Sequence, residues 1–260
     1  MLIDSHANLH GDAYDEDREA VFERAREAGI EGILAICCRL DEFDDVLALA
    51  EPRENVWASV GVHPHHAKEW PDITAEELIR RADHPKVVAI GETGLDQYYN
   101  HSPEAVQIKS FLAHVEAARE TGLPLVIHCR DADERMAEIL EAEMGKGAFK
   151  ALLHSYTGGP DLARRASALG AFFSVNGIAT FNSAKDVRDV IHDVMPGERI
   201  LIETDCPYLT PVPHRGKRNE PSFLPFVAEK LADIRGWTKD EAVEKSGAAF
   251  FKLFDKAKAV

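Results

Sequence analysis

Val87-Val88-Ala89-Ile90-Gly91-Glu92 is a short apolar run that stops at a glycine and delivers a carboxylate. Such a run, bounded by turn residues, reads as a strand buried on both faces. The chain repeats the device. Leu2-Ile3 leads into Asp4-Ser5-His6, Leu125-Val126-Ile127 into His128, and Ala151-Leu152-Leu153 into His154. Ile200-Leu201-Ile202 runs through Glu203-Thr204 into Asp205. If these strands lie parallel, their C-terminal ends meet at one rim, where His6, Glu92, His128, His154 and Asp205 converge. Imidazole and carboxylate donors together suit borderline and hard divalent ions.

The order of elements extends this reading. Strand-like runs recur near 2–5, 32–37, 56–62, 87–91, 124–128, 150–154, 171–175 and 199–203. Helix-like stretches lie between them. One runs from Asp15 to Gly29; another opens at Ser102-Pro103, read as an N-cap and first helical position, and stops at Gly122. Others run from Asp161 to Gly170, from Ser222 to Gly236 and from Lys239 to Lys256. Alternating strands and helices over about 250 residues predict an α/β TIM (β/α)8 barrel. An open doubly wound sheet uses the same alternation, but no G-x-G-x-x-G follows the first strand. Only a closed barrel brings ligands from the first, fourth, fifth, sixth and eighth strands to one rim. No linker or low-complexity tract divides the chain, so residues 1–260 are expected to form one domain. The proline-rich stretch 206–221 reads as an active-site loop.

Composition sets bounds. The 260 residues are 45% hydrophobic and 29% charged, ordinary for a globular protein. No apolar run reaches membrane-spanning length, and the first residues lack the basic and apolar regions of a signal peptide. The cysteines Cys37, Cys38, Cys129 and Cys206 form no C-x-x-C, so a reducing cytoplasm is the expected location. A net charge of −15 argues against a protein that coats nucleic acid through a basic track. It leaves room for an enzyme that holds phosphates with metal ions and a local basic loop.

The candidate ligands have distinct roles. His6 and Asn8 are two apart and share a strand face, although an amide oxygen is a weaker ligand than imidazole for zinc-like ions. His10 has the same parity but lies beyond the strand. Glu92 can bridge two ions through its two oxygens. His128 and Arg130 share a face; His128 reads as a ligand, and Arg130 as a phosphate contact or as the ion-pair partner of Asp131 or Asp133. Asp205 suits both ligation and the activation of a water.

Together these residues resemble the TatD family of metal-dependent deoxyribonucleases, within the amidohydrolase-like barrel superfamily. The resemblance is carried by Asp4-Ser5-His6, Gly61-Val62-His63-Pro64, Gly91-Glu92-Thr93-Gly94-Leu95-Asp96 and His128-Cys129-Arg130. It continues through His154-Ser155-Tyr156-Thr157-Gly158, Glu203-Thr204-Asp205-Cys206-Pro207 and the run from Arg215 to Pro221. These pieces span the chain in the family's order. The resemblance implies a barrel, one or two divalent ions (Mg2+, Mn2+ or Zn2+) and hydrolysis of phosphodiester bonds in DNA, typically from single-stranded ends. It implies that His6, residue 8, Glu92 and Asp205 hold one ion, and that Glu92, His128 and His154 hold the other. The family's usual opening is Asp-x-His-x-His; Asn8 replaces the second histidine here. The expectation is therefore one tightly held ion and one loosely held, or a preference for an oxygen-loving ion such as magnesium.

The mechanistic expectation places Glu92 and Asp205 at the catalytic centre, with Asp205 as ligand and base. His63, Arg130, Arg215, Lys217 and Arg218 are expected to neutralise phosphate oxygens. Tyr98, Tyr99 and Tyr156 follow strand ends and are candidates for stacking on bases. The acidic balance predicts a short, sequence-indifferent contact at DNA ends, without membrane binding and with a monomer as the default. Two other readings remain: a barrel hydrolase of a small ester, amide or phosphodiester using the same ions, and a non-catalytic metal-binding module.

Overall fold

A computed structural model of the chain describes residues 1–257. The strands are β1 (Leu2–Ala7), β2 (Ile30–Ala35), β3 (Val56–Val60), β4 (Val87–Asp96), β5 (Leu125–Arg130), β6 (Ala151–Leu153), β7 (Phe172–Val175) and β8 (Ile200–Ile202). They form one eight-stranded sheet in the order β1 to β8, every adjacent pair parallel. The ring closes just beyond β8, through a parallel bridge between Ala7 and Cys206. There Asp205 N donates to His6 O and Asn8 N to Cys206 O, both at 3.0 Å. This is the expected (β/α)8 barrel.

Nine helices surround it among the described residues: α1 (Arg18–Glu27), α2 (Phe43–Ala50), α3 (Ala75–Ala82), α4 (Glu104–Thr121), α5 (Asp133–Lys146), α6 (Pro160–Ala168), α7 (Lys185–Asp193), α8 (Leu224–Arg235) and α9 (Lys239–Leu253). None is long and apolar enough to cross a membrane.

Two apolar layers hold the barrel. One lies between the strands and the outer helices. The other fills the barrel itself, where Ile3, Leu34, Trp57, Val88, Val126, Leu152 and Leu201 meet Phe250 and Leu253 of α9 and Phe254 just beyond it. Trp57 and Phe250 pack with ring centroids 5.3 Å apart. The helix thus plugs one end and leaves the other for the site. Strand alternation then lifts the candidate ligands above the plug: Val126 and Leu152 lie inside, and His128 and His154, each two residues on, extend from the same face.

Two sequence expectations are corrected. Glu92 does not end its strand: β4 continues to Asp96, with a register irregularity against β5 between Ile90 and Thr93. The continuation depends on Gly94, whose φ is +143° and where a Cβ would sit 1.9 Å from His128 O. A glycine there lets β4 run against β5 close to that ligand. Ser102 is not the N-cap of α4; Pro103 holds that position. The Ser102 hydroxyl instead donates to His65 O and accepts from Lys68 N, tying down the loop after β3.

Candidate metal centre

Glu92 is the hub of the rim. Its Oε1 lies 2.7 Å from His154 Nε2, 3.2 Å from His63 Nε2 and 3.3 Å from His128 Nδ1. Its Oε2 lies 3.2 Å from His6 Nε2 and accepts from Cys38 Sγ at 3.4 Å. Asp205 Oδ1 stands 3.6 Å from the same His6 nitrogen. Two groups with the spacing of metal ligands share Glu92: His6–Glu92–His154 and His63–Glu92–His128. His154 stacks on His6 with ring centroids 4.0 Å apart, while its Nε2 faces the same Glu92 oxygen as His128 Nδ1.

The donor set fits divalent ions, and the polar atoms left without partners point the same way. His6 Nε2 is buried and lacks hydrogen-bond geometry to any neighbour, although Glu92 lies so close; His154 Nδ1 and Glu203 Oε2 are likewise unsatisfied. Buried polar atoms without partners are costly, and an ion drawing in His6 would satisfy one of them.

Tautomers separate ligands from donors. His128 Nε2 donates to Asp96 Oδ2 at 3.0 Å, which leaves its Nδ1 lone pair facing Glu92. His154 turns Nδ1 toward Glu203, 3.5 Å away, and Nε2 toward Glu92. Both follow the carboxylate–histidine–metal pattern. His63 is the reverse: its Nδ1 accepts from His65 N at 3.1 Å, so its proton is on Nε2, facing the site. Despite its spacing, His63 is built to donate a hydrogen bond.

The electrostatics match. Burial pushes the Glu92 carboxyl up, but His154, His63 and His6 more than reverse this and hold it well below the usual carboxylate range. Burial works against charge on His154, yet Glu92 and Glu203 raise it well above an ordinary histidine. His63 is pushed down to about 4 by burial, which keeps it neutral. Asp205 is pushed up to about 6, chiefly by burial, with Glu203 and Glu92 adding to the effect. The centre is a concentration of negative charge that attracts cations.

A cavity of about 640 Å3 opens over these groups, lined among others by Asn8, His63, Glu92, His128, Arg130, His154 and Asp205. Asn8 is held at its edge: Nδ2 donates to Cys206 O at 3.3 Å, and Oδ1 accepts from Cys38 Sγ at 3.6 Å. Arg130 makes no ion pair with Asp131 or Asp133; its guanidinium lies 4.2 Å from the Tyr98 ring centroid. Arg215 is exposed and sits 3.7 Å over Phe181, and Lys217 is exposed. Arg218 corrects the expectation of a three-cation loop. Its guanidinium is committed to both carboxylate oxygens of Asp17, each at 2.8 Å, and lies over Tyr14. Tyr156 also departs from expectation: it is buried, and its hydroxyl donates to Gly159 O. His10 pairs with Glu42, outside the ligand groups.

Supporting residues escaped the sequence reading. Asp96 and Glu203 stood inside the quoted motifs without an assigned role; only their contacts with His128 and His154 reveal one. Asp4 accepts from Thr204 N and Oγ1 at 2.9 and 2.6 Å, clamping β1 to the end of β8. Cys38 carried no signal beyond its neighbour Cys37.

Residues 3–255 match the family model described as TatD related DNase. A Bacillus subtilis protein, "Uncharacterized metal-dependent hydrolase YabD", is 39% identical over 93% of this chain and 94% of its own. The "3'-5' ssDNA/RNA exonuclease TatD" of Erwinia tasmaniensis is 36% identical over 98% of this chain and 100% of its own. The crystal structure of the Escherichia coli TatD homologue YJJV superposes with a TM-score of 0.89 at 28% identity, covering 98% of both chains. With its barrel, its Glu92-centred ligand groups and matches from end to end, this chain belongs to the TatD related DNase family.

Proposed function

We propose that this protein is a metal-dependent exonuclease that hydrolyses phosphodiester bonds at the ends of single-stranded DNA, residues 1–260 acting as one domain. The observation that carries the reading is Glu92. His154 and His128 nitrogens lie 2.7 and 3.3 Å from its Oε1, and His6 Nε2 lies 3.2 Å from its Oε2, so each oxygen has imidazole nitrogen beside it with which it could hold a divalent ion. The exonuclease named among its relatives, alike over the full chain, supports DNA as substrate and a 3' starting end.

When bound, divalent ions supply Lewis-acid activation of a water and of the phosphoryl group. Glu92, His6, His128, His154 and Asp205 would hold them. Asp205, whose side chain is partly exposed in the cavity, would accept the proton of the attacking water. His63 donates a hydrogen bond from its Nε2–H to a phosphate oxygen. Arg130 and, at the rim, Arg215 and Lys217 add positive charge toward the strand. Asn8, an oxygen donor where an imidazole is usual, favours magnesium or manganese over zinc. A monomer is part of this reading, as is a reducing cytoplasm, in which the four cysteines stay free.

The test is release of nucleotides from single strands labelled at the 3' or the 5' end, over a range of salt. Progressive loss of the 3' label with a shallow salt dependence is expected. A steep dependence, signifying many phosphate contacts, or attack inside circular strands contradicts it.

A further inference from the structure

At the β4–β5 edge, Tyr99 and Arg130 line the cavity, and Tyr98 stands beside them under the Arg130 guanidinium. Tyr98 and Tyr99 are 57% and 49% exposed. Arg130 lies over both, 4.2 and 5.0 Å from their centroids. A chain with a net charge of −15 leaves this guanidinium without a carboxylate partner among the described residues.

The trio is fixed in place. Arg130 stands in register with Asp96 across β4 and β5, two residues beyond His128. Asp96 Oδ1 accepts from Tyr98 N at 3.1 Å and Tyr99 N at 2.8 Å, while Oδ2 accepts from His128 and His65. One carboxylate thus sets the distance between the tyrosines and a metal ligand. Tyr99 is backed by a parallel stack on His101 at 5.6 Å and an edge contact with His65. Such support lowers the ordering cost of binding on the rings.

We propose that Tyr98, Tyr99 and Arg130 form a subsite for one unpaired nucleobase and its phosphate, next to the scissile bond. The base stacks on one of the two exposed rings, which stand at 87° to each other and cannot both be its platform. A guanidinium lying over a ring keeps its in-plane N–H groups free, and these meet a phosphate oxygen. Stacking tolerates every base because each has a π face, so the subsite demands a single strand without reading its sequence. This rests on the nuclease reading above and deepens it.

The experiment compares single strands with and without an abasic residue at the terminal or penultimate nucleotide. Removing the base at one of these positions is expected to lower kcat/KM of the wild-type enzyme about tenfold, the scale of one lost base–aromatic stack. In the double variant Tyr98→Leu/Tyr99→Leu that penalty falls close to one. In Tyr98→Phe/Tyr99→Phe, which keeps both rings, it persists. Equal rates on intact and abasic strands in the wild type overturn the subsite, as does a penalty that survives unchanged in the leucine variant. A wild-type enzyme that degrades neither strand overturns the nuclease reading itself, so the two failures are distinct.

Discussion

His128 Nε2 donates to Asp96 Oδ2 at 3.0 Å, and through this bond a carboxylate outside the candidate ligand groups decides which imidazole nitrogen faces Glu92. Burial pushes the Asp96 carboxyl up, but the bonds from His128, Tyr99 N and His65 prevail and hold it well below the usual range. It is therefore ionised, and all four of its bonds are accepted ones.

Asp96→Asn tests that role. An amide has one oxygen, so its NH2 must face either the two histidine N–H groups or the two backbone N–H groups. Metal affinity and activity are expected to fall about 10–100-fold, the usual cost of losing such a partner, in a protein that still folds. Calorimetric titration of metal-stripped protein checks the first, and nucleotide release the second. Unchanged affinity would show that His128 is oriented by packing alone.

Asn8 makes a separate prediction. Its amide is tied to Cys206 O and faces Cys38, so the ion nearest His6 and Asp205 is expected to be the weaker of the two. Asn8→His supplies the imidazole that the usual family opening has. Zinc titration should show one strong and one weak site in the wild type, and two strong sites in the variant. Two tightly held ions in the unaltered protein would refute the inequality.

Much of this was legible in the sequence, for a physical reason. Strands buried on both faces are continuous apolar runs, so a polar residue ending one stands out, as His128 and His154 do. Asp96 did not stand out because Glu92 was taken as the strand's end. The extension of β4 depends on the conformation of Gly94 and on a register irregularity, neither of which has an apolar signature. Arg218 misled because its partner Asp17 lies 201 residues away in sequence; a basic run looks the same free or paired. Tyr98, Tyr99 and Tyr156 all follow strand ends, yet only the fold separates the buried Tyr156 from the exposed pair.

His114 yields a pH prediction. It is fully buried on α4; Nδ1 donates to Ser110 O at 2.7 Å, and Nε2 accepts from Val62 N at 2.9 Å, steadying the segment that carries His63. Burial pushes it down to about 4, against an unfolded value of ~6.5. Between these values the unfolded chain binds more protons, so stability is complete above the upper one and declines as pH falls toward the lower. The loss is on the order of 3 kcal/mol, and His63 adds a change of the same sign. His114→Phe is expected to cost about 1–3 kcal/mol at pH 7 through the orphaned Val62 amide. It should also flatten the dependence between pH 6.5 and 4. Urea unfolding of metal-free protein at several pH values measures both; an unchanged slope would refute the assignment.

The central claim is that Glu92 gathers the ions that hydrolyse DNA. The direct measurement is release of mononucleotides from end-labelled single-stranded DNA by metal-stripped protein supplied with magnesium, manganese or zinc, beside Glu92→Ala. Activity restored by metal in the wild type and absent from the folded variant is the expected result. No release above the variant with any ion, from protein shown to be folded, would contradict the claim and point to a small-molecule substrate for the same centre.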